Sequence, residues 1–177
     1  MAATKIKQFT VSPNDAFFFD TCVWMYIFAP IANAQQYKQN IYSSLLKSIL
    51  NRKATIWINS QVVAEYINAS LRKEFELWKD NKGFLNADFK RDFRITTEYS
   101  DALLNIKYQI NNILKNTDKC PDDFHNMDVM GLINKMQNTM DYGDMVISEC
   151  CMNKNSFLVT DDSDIINSNL KIKVLTA

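Results

Sequence analysis

Apolar runs in this chain are repeatedly closed or punctuated by a carboxylate: FFFD ending at Asp20, QVVAEY around Glu65, DYGDMVI around Asp144 and LVTDDSD around Asp162. A core tolerates such a residue poorly, because a buried carboxylate is costly unless its charge is compensated. Several of them in one chain favour a shared compensation, a divalent cation held by oxygen ligands.

The chain of 177 residues suits a single domain and can bury a core without disulfide staples. With three Gly and three Pro, long helices and few tight turns are expected. The formal net charge is zero, which excludes a globally basic nucleic-acid binder. The charge is uneven, however. No acid lies between Asp20 and Glu65, where Lys38, Lys47, Arg52 and Lys53 fall, whereas acids dominate from Asp122 to Asp164. An acidic focus beside basic flanks can hold a metal and still attract a polyanion. The N-terminus lacks a signal-peptide core, and no apolar run reaches the ~20 residues of a membrane span. A cytoplasmic protein with no membrane contact is expected. Cys22, Cys120, Cys150 and Cys151 show no CxxC spacing, and the last two read as apolar fillers of a helix.

Residues 1–15 read as an N-terminal extension and 16–177 as one domain. The run from Ala16 is too continuously apolar for a one-sided strand, so its first part is a buried central strand. Helical stripes follow at Gln35–Leu50, from Asn59 or Ser60 to about Asp80, and at Ile95–Leu114; Gly83 breaks the chain. A weaker helix covers Phe124–Met136, and another runs from the Gly143 region to Asn153. Short strands are predicted at Ala54–Ile58, Phe157–Thr160 and Ile172–Leu175, with a helical turn at Ser163–Asn167. Strands separated by helices imply parallel crossovers and an α/β sheet covered on both faces, with a helical insert at about 81–138.

In open parallel sheets, ligands bind beyond the carboxyl ends of the strands. Asp20 and the Asp161-Asp162 pair follow two of the predicted strands. Glu65 lies early in the helix after a third, on a face with Val62, Asn68, Ala69 and Arg72. Asp144 lies in the first turn of its helix, with Ile147, Ser148 and Cys151 on its side. Strand alternation sets Thr160 and Asp162 on one side and Asp161 on the other. Asp162 is therefore the better ligand candidate, Asp164 an outer one, and Asp161 and Asp141 read as helix caps. Arg72 suits a phosphate contact or an ordinary surface ion pair, and Lys90, Arg91 and Arg94 are further contact candidates. His125 is the single histidine and lies in a polar stretch, so two-histidine ribonuclease chemistry lacks its second imidazole. Cys22 occupies the position where a haloacid-dehalogenase-type phosphatase needs a second aspartate. Three scattered glycines cannot form a phosphate loop.

At these positions the chain resembles the PIN domain nucleases, including the VapC-like ribonuclease toxins. The matching pieces are DTCVW at Asp20, SQVVAEY at Glu65, GDMVISECC at Asp144, and LVTDDSD with Thr160, Asp162 and Asp164 as Thr-x-Asp-x-Asp. The resemblance covers about 16–80 and 139–176. It implies a three-layer α/β/α PIN-like fold, with a small, mainly parallel sheet flanked by helices. It also implies Mg²⁺ or Mn²⁺ held by Asp20, Glu65, Asp144 and Asp162, with Asp164 outside them and Thr160 orienting an acid. The implied activity is endoribonuclease cleavage of RNA, with homodimerisation and, for a toxin, inhibition by a cognate antitoxin protein. The alternative is a PIN-like RNA- or protein-binding module without turnover, against which the four intact acids count.

Overall fold

Phe17, Phe18 and Phe19 are without solvent contact, which demands cover on both faces of the strand they form. The computed structural model describes residues 3–29, 36–122, 124–136 and 140–177. Its strands are β1 (Thr4–Lys5), β2 (Ala16–Phe19), β3 (Thr55–Ile58), β4 (Asp118–Lys119), β5 (Phe157–Val159) and β6 (Lys173–Thr176). They form one sheet in the order β1-β6-β5-β2-β3-β4, and every pairing is parallel. The helices are α1 (Thr21–Phe28), α2 (Gln36–Arg52), α3 (Ser60–Lys82), α4 (Thr97–Lys115), α5 (Val129–Lys135), α6 (Tyr142–Asn153) and α7 (Ser163–Ile166). The fold is the expected three-layer α/β/α arrangement.

The strand order explains where a site can form. From β2 the chain steps to β3 and β4 on one side; it later returns to β5 and β6 on the other. Right-handed crossovers running in opposite directions leave a crevice at the carboxyl ends of the two strands between which the direction reverses. Those strands are β2 and β5, paired in register from Phe17–Phe157 to Phe19–Val159.

Local chemistry fixes the helix boundaries. Asn59 Oδ1 accepts from Val62 N at 3.0 Å and starts α3. Gly83 ends it in the left-handed region at φ 70°, where a side chain would be strained. Within the predicted insert, α4 packs back against α3 as a hairpin, whose tip carries a small cluster of Phe75, Trp78 and Phe93. A π-helical turn at Phe89–Phe93, capped by Asp88, joins the two helices.

Several elements differ from the sequence prediction. Within the predicted extension, Thr4–Lys5 pairs with β6, and within the predicted insert, Asp118–Lys119 pairs with β3. Both are two-residue edge strands with exposed polar side chains, too short to show a period. The predicted helix Phe124–Met136 is divided into a 3₁₀ turn, Phe124–Asn126, and α5, because Asp128 caps a fresh start on Gly131 N. The second half of the first apolar run is α1, which the continuous apolar character concealed. Among the described residues no helix is long and apolar enough to cross a membrane.

Asn59 also donates to Cys150 Sγ and is nearly enclosed, so its side chain links the α3 start to α6. Asn59→Ala is expected to destabilise the protein by ~1 kcal/mol, lowering the melting temperature by ~2–4 °C in a thermal melt. An unchanged melt would refute the capping role.

Candidate active site at the β2–β5 crevice

The β2 strand ends when Asp20 N donates to Val159 O at 3.0 Å; Val23 N and Trp24 N then return to Asp20 O and begin α1. Asp20 thus holds the cap position of a helix, yet its side chain makes no capping bond further into α1, and its backbone contact is to Thr21 alone. It turns instead toward β5, where Thr160 Oγ1 donates to Asp20 Oδ2 at 2.6 Å. Cys22 Sγ adds a longer contact to the same oxygen at 3.2 Å. Asp20 is 8% exposed and Thr160 fully enclosed. Burial is the main cause that raises the Asp20 pKa; the Thr160 hydrogen bond opposes it, and the charge of Asp162 adds to it.

The same Thr160 hydroxyl accepts from Asp162 N at 3.0 Å, tying the turn after β5 to Asp20. Asp162 caps α7, its Oδ1 accepting from Asp164 N at 2.7 Å. Asp164 follows in the first turn of that helix, half-buried.

Asp144 and Asp141 form a reciprocal capping box at the start of α6. Asp141 Oδ1 accepts from Asp144 N at 3.1 Å, and Asp144 Oδ2 from Asp141 N at 3.0 Å. Despite that bond, the Asp144 pKa is raised to about 6, first by burial and then by the charges of Asp141, Asp162 and Asp20. Asp20, Asp144 and Asp162 therefore share one electrostatic neighbourhood.

Glu65 reaches the same crevice from α3. Its Oε2 accepts from Thr21 Oγ1 at 2.9 Å, one residue past Asp20, and its Oε1 from Gln61 Nε2 at 2.7 Å. Glu65 Oε1 also lies so close to Gly143 that a Cβ there would collide with it. A side chain at 143 would therefore push the Glu65 carboxylate from its place against the α6 terminus.

Among the described residues no three His, Cys, Asp or Glu side chains stand as a ready set for one ion. The acids instead spend oxygens on Thr160, Thr21, Gln61 and backbone amides. The donor chemistry nonetheless fits a hard divalent cation. The donors are carboxylate oxygens whose mutual repulsion a cation would relieve, and the neighbouring Cys22 thiol is pushed well up by burial and by Asp20, so it is no thiolate.

Asp161 requires a correction. Asp162, not Asp161, caps the short helix. The Asp161 carboxylate points to the other side and accepts from Tyr26 Oη at 3.0 Å, Lys38 Nζ at 2.5 Å and Tyr42 Oη at 3.2 Å. Its charge is answered by Lys38 across 123 residues of sequence, a pairing that no local pattern signals. Sequence reasoning also missed Thr21, Cys22 and Gln61 as partners of the acids. Only Gln61, four residues before Glu65 on one helix, carried a local signal. Arg72 is exposed, seven residues after Glu65, and stands outside the acid cluster; His125 is exposed.

No family model and no curated protein matches the chain. Among solved structures it is similar to a chain of VapBC2 from Rickettsia felis, crystallised bound to a DNA fragment from its promoter. The TM-score is 0.55 at 13% identity, over 91% of this chain and 98% of the other. That likeness is one of fold, and it agrees with the PIN-like three-layer architecture.

The sign of the Asp144 shift sets a stability test. A carboxyl at 3.8 in the unfolded chain and about 6 in the fold binds its proton more tightly when folded. Its stabilising contribution is complete below about pH 4 and is lost as pH rises through about 6. Asp144→Asn keeps a cap acceptor and removes the charge. In chelator at pH 7.5 it is expected to raise the melting temperature by ~2–4 °C, with the gain disappearing near pH 4. A lower melting temperature at pH 7.5 would contradict the repulsion.

Proposed function

We propose that this protein is a Mg²⁺- or Mn²⁺-dependent endoribonuclease. The observation that carries the reading is the buried Asp20, bound by Thr160 and electrostatically coupled to Asp144 and Asp162 at the crevice of a parallel sheet. Asp20, Glu65, Asp144 and Asp162 would hold the cation, with Asp164 outside them. When bound, the cation supplies Lewis acidity toward water and the phosphodiester. The chain's own residues orient and hold. Thr160 fixes the Asp20 carboxylate, Thr21 and Gln61 fix Glu65, and the capping box fixes Asp144. Burial around Asp20 strengthens the field that the acids exert on a bound ion.

The shared fold with a VapBC2 chain supports extending this reading to the toxin of a toxin–antitoxin pair. An antitoxin protein would then be its partner, and a homodimer its assembly. Expression would arrest growth, Asp144→Asn would relieve the arrest, and harmless expression of the wild type at high level would remove the toxin role.

Purified protein is expected to cleave RNA with Mg²⁺ or Mn²⁺, and chelation to stop it. Asp144→Asn should lower the rate by ~100-fold or more. Thr160→Val, which keeps the shape but removes the hydroxyl, should lower it by ~10–100-fold through loss of Asp20 orientation. Full activity in excess chelator would overturn metal dependence. Metal binding without cleavage of any RNA offered would favour a binding module without turnover.

A further inference from the structure

The face of α3 that carries Glu65 continues through Asn68 to Arg72, three and seven residues on, so these side chains follow one line along the helix. Arg72 is ~10 Å from Glu65 along the axis at ~1.5 Å per residue. There it joins Lys90 and Arg94 from the turn between α3 and α4, around a groove of about 690 Å³ also lined by Phe89. The three cations come from α3 and from the turn that follows it, and they converge on one space.

Charge in the groove is not balanced by its acids. Glu76 lines it but pairs with Lys79 at 2.9 Å. Asp88 lines it too and holds the Lys90 and Arg91 amides, so three cations face two acids. Among the described residues, Arg72, Lys90 and Arg94 take part in no ion pair, whereas neighbouring Arg91 is held by Asp92 at 2.9 Å. The Arg94 guanidinium lies over Phe89 and Tyr99 with centroid distances of 5.7 and 6.0 Å. A planar cation backed by aromatic rings can stack on a base while its neighbours hold phosphates.

We propose that Arg72, Lys90 and Arg94 form a phosphate track that binds single-stranded RNA and leads it along α3 to the acid crevice. The proposal rests on the nuclease reading for its destination, but binding can be tested without turnover. Single-stranded RNA fits better than an acidic protein segment because Arg72 and Asn68 lie on the α3 face that leads to Glu65 and the groove includes a stacking platform. Arg91, a sequence candidate of equal charge, falls outside the track because Asp92 holds it.

The test is fluorescence anisotropy of a labelled oligouridylate in EDTA across a salt series, comparing the wild type with the triple variant Arg72→Gln, Lys90→Gln, Arg94→Gln. The salt slope is expected to fall by ~2, from ~0.7 per lost single-strand phosphate contact, and affinity at low salt by ~10-fold or more. The three positions are exposed, and a thermal melt of the variant verifies its fold. Arg91→Gln should leave both quantities nearly unchanged. Loss confined to the triple variant supports the track whether or not the wild type cleaves RNA. Unchanged affinity and slope in a folded triple variant overturns it, even if cleavage by the wild type stands. An equal loss in Arg91→Gln also overturns it, since general surface charge would then suffice. Equally tight, equally trio-dependent binding of polyglutamate would overturn the RNA assignment in favour of an acidic peptide.

Discussion

The hydroxyl of Thr160, without solvent contact, donates to Asp20 Oδ2 and accepts from the amide of Asp162. A hydroxyl can do both at once, and few other side chains can. This bond spans the tips of two adjacent parallel strands, which the sheet holds ~4.8 Å apart. It fixes where the chain leaves β5, and hence where Asp162 caps α7. It also holds the Asp20 carboxylate toward β5 rather than in a helix cap. The crevice between β2 and β5 thus follows from strand order, but its chemistry follows from one threonine.

Around that bond the protein tolerates an unfavourable arrangement. Burial and neighbouring carboxylates raise the pKa of Asp20 and of Asp144. Capping explains Asp141 fully and Asp144 in part, since the box would form on a solvated surface without the cluster. It does not explain Glu65, drawn against Gly143 by contacts to Thr21 and Gln61. Destabilising charge concentrated at the switch point of a parallel sheet is the pattern of a functional site rather than of a core. On the opposite side of the same turn, Asp161 meets Lys38 and two tyrosines, so adjacent acids have contrasting environments.

Much of this was legible in the sequence where one residue type dictates one environment. Three consecutive phenylalanines before Asp20 read as a strand enclosed on both faces, which they form, and Gly83 stops α3 where a left-handed residue is required. Strand alternation separated Thr160 and Asp162 from Asp161 correctly. What stayed hidden depended on distant partners. The edge strands at Thr4–Lys5 and Asp118–Lys119 exist through pairing with β6 and β3, not through their own pattern. The cap was assigned to the wrong aspartate because Lys38, which engages Asp161, lies on α2. Helix α1 reads as a continuation of the apolar strand, and only the turn of the backbone at Asp20 ends that strand.

The most direct test of the account is binding of Mn²⁺ to metal-stripped protein, followed by loss of the free-ion electron paramagnetic resonance signal. Saturable binding is expected in the wild type, with affinity lowered ~10-fold or more in both Asp20→Asn and Asp144→Asn. Absence of saturable binding, or equal affinity in both folded variants, would contradict a cation shared by these carboxylates.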